Sequence, residues 1–395
     1  MMTKIFYVDR FIKYSTKMFE VLWKVSLQEK NYQIFFLGPD DKKPILFSDQ
    51  KVSNALKIWS SGDYVRKIFR YLLKNVPDIV HFTFELRTYG PIWAAIRFPI
   101  LLFLIRRTKI KIVVSLFNVW FYKDNSKWEL PDYFPIKIPR FFIKFIIRSF
   151  FKAICNLSHK IVVGTYEAKS CLTEYFGIDK EKIEVIQFGV SQTRNLIDSS
   201  IQKKYRELFS DKKIILYFGV ISPRKNQEIA IKAFKILSEK IPDYILVIAG
   251  KSTTEFGSYE KNLRKLVSDL NLEQKVFFTG FIDDNDVDVL FQMAEMVLYI
   301  YLPMSDSTYS ITLAIENNVP VIVSNIKIFK EVLSDESALF VEPKNEIQLS
   351  DAMLKLSTNH LLRNQIQEEL KSIAEKLSWE NIARQYLQLY ESLLK

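Results

Sequence analysis

Short β-branched or aromatic runs alternate along the chain with amphipathic stretches of helical period, the pattern of parallel sheets covered by helices. In the first half these runs predict strands over Lys4–Val8, Tyr32–Gly38, Asp78–Phe84, Lys111–Phe117, Lys160–Gly164 and Lys182–Gly189. In the second half they predict strands over Lys213–Gly219, Tyr244–Gly250, Lys275–Gly280, Glu295–Tyr301, Pro320–Ser324 and Ala338–Pro343. The expected fold class is therefore α/β, with two doubly wound domains in series. Between them, Ser191–Lys213 is polar and loses the strand rhythm, which predicts a linker. The expected division is residues 1–195, residues 196–378 and a C-terminal helix over 379–395 whose apolar stripe needs a surface to pack on.

Composition narrows the class. The 395 residues are 48% hydrophobic and 26% charged, which excludes a disordered or collagen-like chain. Only Cys155 and Cys171 are present, so a disulfide framework is excluded and a reducing, intracellular setting is expected. The first residues lack an apolar stretch followed by a small-residue cleavage site, so no secretory leader is expected. The run FPILLFLI over Phe98–Ile105 falls far short of the roughly 20 residues that span a bilayer.

Charge is unevenly placed. Residues 1–190 carry 31 Lys+Arg against 17 Asp+Glu, and the remainder carries 25 against 28. A basic first half implies an acidic partner there, nucleic acid or an anionic membrane surface. The excess is concentrated in Ile96–Lys111 and Ile136–Ile154, where large apolar residues mix with cations. In the second segment Arg140, Lys144, Arg148 and Lys152 recur every four residues, so they line one drifting stripe while Phe and Ile fill the rest. That is the composition of an interfacial helix, and the competing reading is a core helix with a solvated basic edge. Nucleic acid fits less well, because the cations stand beside aliphatics rather than in polar, glycine-containing loops.

Candidate chemistry lies at strand-to-helix turns, where open α/β sheets bind ligands and helix starts offer N–H groups to anions. In YFGVISPRKNQEIAIKAF a strand ends at Gly219, and Arg224 and Lys225 follow in the loop, as a diphosphate site or as a solvated pair. In YLPMSDSTYSITLAIE five polar residues, Ser305, Asp306, Ser307, Thr308 and Ser310, precede an apolar-periodic helix, more than a cap requires. Gly280 ends a strand and Phe281 follows it, as a plain strand end or as a place where a planar ring is received. His81, in DIVHFTF, is expected to line a cleft, and His159 is read as structural. Three separated histidines without CxxC or HExxH leave little material for zinc or a histidine-dependent triad. No GxGxxG or GxxxxGK[ST] occurs, and Asp283, Asp284 and Asp286 are read as an exposed, solvated turn rather than a paired-aspartate metal site.

In order and spacing, IEVIQFGV, YFGVISPRKNQEIAIKAF, YILVIAGK, KVFFTGFIDDNDVDVLF, the Ser-rich turn with NNVPVIVSNIKIFKEV, ALFVEP and KLSWENIARQYLQLY resemble the retaining nucleotide-sugar glycosyltransferases of the GT-B fold, the group 1 or family-four enzymes. The resemblance covers most of Lys182–Lys395, and the first half matches loosely through PDIVHF. It implies two Rossmann-like domains facing a cleft, a nucleotide diphosphate sugar on the C-terminal domain, an acceptor on the N-terminal one, and a final helix crossing back. Lys225 would hold the donor diphosphate, Gly280 and Phe281 the nucleobase, and Ser307, Thr308 and Ser310 phosphate and sugar. Four family positions carry other residues. The usual arginine is Val220, with Arg224 able to supply the charge; the two glutamates fall at Ser305 and Leu313, with Glu316 placed to reach the ribose; and the N-domain histidine falls near Phe117 or Asn118. His81, Glu85 and Asn118 are the acceptor candidates.

The function expected from this resemblance is hexose transfer to a lipid-linked saccharide, with retention, at the cytoplasmic face of the cell membrane, with no metal and no cofactor besides the donor. The alternatives are a sugar-nucleotide epimerase of the same fold and a degenerate member that binds nucleotide sugar or glycan without transfer.

Overall fold

The computed structural model describes residues 2–9, 18, 20–22, 24–26, 28, 31–39, 55–59, 63–85, 88–89, 92–116, 140–192, 198–210, 212–303 and 309–395. Two compact units emerge. The first contains the described residues up to Gly189 together with Trp379–Lys395, and the second runs from Val190 to Ser378.

The first unit is built on a parallel seven-stranded sheet: β1 (Thr3–Val8), β2 (Tyr32–Pro39), β3 (Ala55–Trp59), β4 (Ile79–Phe84), β5 (Lys111–Leu116), β6 (Lys160–Val163) and β7 (Ile183–Val185), in the order β3-β2-β1-β4-β5-β6-β7. The reversal of strand order between β1 and β4 makes it doubly wound. Strand β3 is absent from the hydrophobic pattern, because ALKIW is five residues long between polar flanks. Every residue of β4 is buried, as expected of a parallel strand covered on both faces. Helices α1 (Tyr64–Asn75), α2 (Phe98–Arg106) and α3 (Arg140–Leu157) pack around the sheet. Helix α1 does so through Tyr64, Ile68 and Leu72, four residues apart.

The second unit has six parallel strands, β8 (Lys213–Phe218), β9 (Tyr244–Ala249), β10 (Val276–Gly280), β11 (Ala294–Tyr299), β12 (Val321–Ser324) and β13 (Leu339–Val341), in the order β10-β9-β8-β11-β12-β13. All six occupy the runs that the pattern marks. The expected linker instead contains α4 (Ser199–Leu208), capped by Asp198, whose carboxylate accepts from the N–H groups of Ser200 (2.8 Å) and Ile201 (3.4 Å). Tyr205 and Phe209 enter the core, and the partly buried Ile201 packs against it. The remaining long helices are α5 (Gln227–Lys240), α6 (Gly257–Asp269), α7 (Asp284–Met293), α8 (Tyr309–Glu316), α9 (Glu346–Thr358) and α10 (His360–Lys376).

Helix α11 (Trp379–Leu394) belongs to the first unit. Its Tyr386 and Tyr390 are fully buried and face His81 of β4, with ring centroids at 5.5 and 5.7 Å. Trp379 covers Gly189 so closely that a Cβ there would lie 2.3 Å from the indole. Val190 and Ser378, the first and last residues of the second unit, form a parallel bridge, and Val190 N–H donates to the Leu377 carbonyl (2.8 Å).

Candidate functional site

At the carboxyl edge of the second sheet, three adjacent strands, β8, β9 and β10, end in or run into glycines with positive φ: Gly219 (+127°), Gly250 (+153°) and Gly280 (+72°). At Gly250 a Cβ would sit 1.9 Å from the Gly219 carbonyl oxygen, so only glycine lets the two backbones cross there. Space is open where a Cβ would stand on Gly219 or Gly280. The result is a side-chain-free floor beside which Phe281 stands 75% exposed. Gly219 and Gly280 are the positions that the sequence suggests. Gly250 follows an apolar strand in the same way and went unmarked.

From this floor the chain rises through the single-turn helix Pro223–Lys225. Its backbone is fixed by Tyr217, whose hydroxyl donates to the Lys225 carbonyl, and by Leu302 N–H, which donates to the Arg224 carbonyl (3.0 Å). Asn226, with φ +58°, turns the chain into α5. The half-buried Lys225 ammonium lies 3.5 Å from the centroid of the Tyr301 ring. Burial, and secondarily the Arg224 guanidinium, holds that ammonium well below the usual lysine range.

Tyr301 follows β11 and is almost fully buried; its hydroxyl lies 3.0 Å from Ser310 Oγ at the start of α8. Tyr299 donates to the Ser310 carbonyl (2.6 Å). The structure thus joins Lys225 and Ser310 through an aromatic residue that sequence reasoning did not single out. Ser307 and Thr308 lie outside the described residues.

Other candidates are placed elsewhere. Leu313, at a family glutamate position, is buried in the second core. Glu316 lines a cavity of about 710 Å³ with Gln192, Gln367, Lys371 and Glu375, and none of Gly219, Lys225, Gly280 or Ser310 lines it. Asp286 corrects the reading of a solvated turn: it is 7% exposed and accepts from Lys204 Nζ and Tyr205 OH, both at 2.8 Å, which fastens α7 to α4. The Lys204 hydrogen bond holds its carboxyl below the usual range.

In the first unit His81 is not a cleft residue. It is fully buried, Nδ1 lies 2.6 Å from Tyr390 OH and Nε2 lies 2.8 Å from Ser115 Oγ. Burial lowers its pKa to about 3, so the ring is neutral and joins sheet to helix rather than meeting an acceptor. His159 is also structural: Nδ1 accepts from Ile112 N–H (2.9 Å), Nε2 meets Arg106, and burial with that cation lowers its pKa to about 4. Glu85 is half-buried in the turn after β4, where its N–H donates to Thr88 Oγ1 (3.0 Å). Asn118 lies outside the described residues.

On α3, Phe142, Phe145 and Ile146 are 49, 65 and 48% exposed, and Arg148 and Lys152 are exposed beside them. The helix also carries Arg140 and Lys144, whose side chains lie outside the described set. On α2, which packs against α3, Ile100 and Phe103 are exposed and Arg107 lies over the Phe103 ring at 4.5 Å. Among the described residues, no helix is long and apolar enough to cross a membrane.

A glycine floor, a half-buried cation and a hydroxyl-bearing helix start on a doubly wound unit are a setting for an anionic, planar-headed ligand. The family model described as glycosyl transferases group 1 matches residues 198–373, and the model described as glycosyltransferase family 4 matches residues 26–194. The chain belongs to the group 1 glycosyltransferases. The O-antigen chain mannosyltransferase RfbU of Salmonella typhimurium is 28% identical over 298 residues, 72% of this chain and 76% of the relative. The mannosylfructose-phosphate synthase of Agrobacterium fabrum is 24% identical over 240 residues, 58% of this chain and 52% of the relative, so the match spans about half of that enzyme. The solved Anabaena protein HepE, in complex with UDP and glucose, aligns over 99% of this chain and 100% of its own with a TM-score of 0.71 at 16% identity. The two doubly wound units are those of the GT-B fold.

Proposed function

We propose that this glycosyltransferase moves a hexose, with retention, from a nucleoside diphosphate sugar to a lipid-linked saccharide at the cytoplasmic face of the cell membrane. The observation that carries the reading is the Lys225 ammonium resting on Tyr301, in the loop that follows β8 and Gly219 at the carboxyl edge of the second sheet. A diphosphate there gains a cation and unobstructed backbone, and Phe281 offers a face to the base. In the transfer, the bond from the sugar C1 to the diphosphate oxygen breaks as the acceptor oxygen bonds to C1. The acceptor proton passes to the departing phosphate, and Lys225 and Arg224 stabilise the negative charge of that leaving group. No metal is needed for this charge balance. The lipid-linked acceptor is supported by the exposed apolar and basic surface of α2 and α3, which suits an anionic membrane.

The test is a thermal-shift series with UDP, GDP, ADP and their sugars on the chain and on Lys225→Ala. GDP-mannose is included because relatives such as RfbU are mannosyltransferases by name. A ligand at a hundred times its dissociation constant adds about 2.7 kcal/mol. A base-specific shift lost in the variant supports the donor site, and no shift with any nucleotide overturns it. Binding without transfer favours the second reading, a donor-binding protein that does not catalyse, which the buried Leu313 and the exposed Val220 at family polar positions support. Flotation with anionic liposomes tests the membrane surface, and unchanged binding of Phe145→Glu/Arg148→Glu refutes it.

A further inference from the structure

We propose that Tyr301 is a positioning residue for the donor: its ring holds the Lys225 ammonium where the diphosphate arrives, and its hydroxyl links that cation to the start of α8 through Ser310. The inference rests on the donor reading above.

Among the described residues, the Tyr301 ring is the side-chain partner of the Lys225 ammonium, and no carboxylate pairs with it. The difference matters for capture of an anion. A carboxylate would have to be displaced, whereas a ring face is a weak, weakly directional partner that releases the cation readily. The ring also confines a four-carbon side chain that would otherwise sample many rotamers, so less freedom is lost when the diphosphate binds.

Tyr301 cannot swing away. It is 2% exposed and packs against Phe329 (centroids 5.4 Å apart) and Tyr299 (5.7 Å). Burial keeps it from the donor, so it acts through Lys225. Phenylalanine would satisfy the packing, and the hydroxyl adds the contact with Ser310 Oγ at 3.0 Å. One side chain therefore relates the two loops expected to hold the donor phosphates, with Tyr217 and Tyr299 fixing the backbones on either side.

The experiment compares affinities of the full chain for UDP against UMP and for GDP against GMP, by calorimetry. For the base that binds, Tyr301→Leu is expected to lose about tenfold in diphosphate affinity with the monophosphate affinity within twofold of the parent, and Tyr301→Phe, which keeps the ring and loses only the link to Ser310, about threefold in diphosphate affinity. Because Tyr301→Leu leaves a core space and can fail to fold, 3,4,5-trifluorophenylalanine at position 301 provides an isosteric variant. Fluorination withdraws charge from the ring face, so diphosphate affinity falls below that of Tyr301→Phe while monophosphate affinity and thermal stability hold. An unchanged diphosphate-to-monophosphate ratio in the fluorinated variant, in a protein where Lys225→Ala lowers that ratio, overturns the role of Tyr301. An unchanged ratio in Lys225→Ala itself overturns the donor reading instead.

Discussion

His81 and Lys225 are both nitrogen bases drawn out of bulk water, one in each unit, and they are treated in opposite ways. His81 is sealed: both ring nitrogens have hydroxyl partners, burial keeps the ring neutral, and Tyr386 and Tyr390 close over it. Lys225 is half-buried, next to a second cation, and among the described residues its ammonium leans on a ring face and pairs with no carboxylate. A buried group whose polar capacity is filled serves the architecture. A cation held against a ring face is ready for an anion that arrives later.

That contrast can be broken at four points. The largest effect is expected from His81→Phe, which leaves the Ser115 and Tyr390 hydroxyls without their partner. Denaturant unfolding should show a loss of about 3 kcal/mol, while nucleotide affinity stays at the parent value. Lys225→Ala should do the reverse: nucleoside diphosphate affinity falls about thirtyfold, close to 2 kcal/mol, with no loss of stability, because a desolvated cation is removed. In the parent, diphosphate affinity should fall as pH rises through the lowered Lys225 pKa, earlier than for an ordinary lysine.

Third is the acid response. His81 titrates near 6.5 when unfolded and at about 3 when folded, so between those values the unfolded chain binds one more proton than the folded one. Stability should therefore drop on acidification by about 1.4 kcal/mol per pH unit more in the parent than in His81→Gln. A parallel pH dependence of the two proteins would mean that the ring is not held neutral. The smallest effect is Tyr390→Phe, which removes one hydroxyl and should cost about 1 kcal/mol, seen as a modest shift in unfolding midpoint.

The fold was more legible than the site. Parallel strands covered on both faces announce themselves as continuous apolar runs, and every strand of the second sheet lies in one. ALKIW was lost because five residues between polar flanks carry too little of that signal, and α4 because its core face carries only Ile201 and Tyr205, with Phe209 just beyond its end. Residue type alone does not reveal whether a polar group is covered. His81 and Asp286 look like cleft and surface groups in sequence, and partners distant in the chain, Tyr390 for one and Tyr205 for the other, convert them into struts. Tyr301 was missed for the reverse reason: an aromatic at a strand end reads as core, and its cation lies 76 positions earlier, a distance that no local motif spans.

The placement of α11 has a consequence for how the protein is made. The unit that begins at the N-terminus needs Trp379–Leu394 to cover Gly189 and His81, so its first strands leave the ribosome long before the helix that completes their core. At about 5 to 20 residues per second, translating the intervening second unit takes roughly 10 to 40 seconds. Throughout that interval the nascent first unit lacks its last helix, and a chain that stops short of Tyr386 would never finish the part it began with.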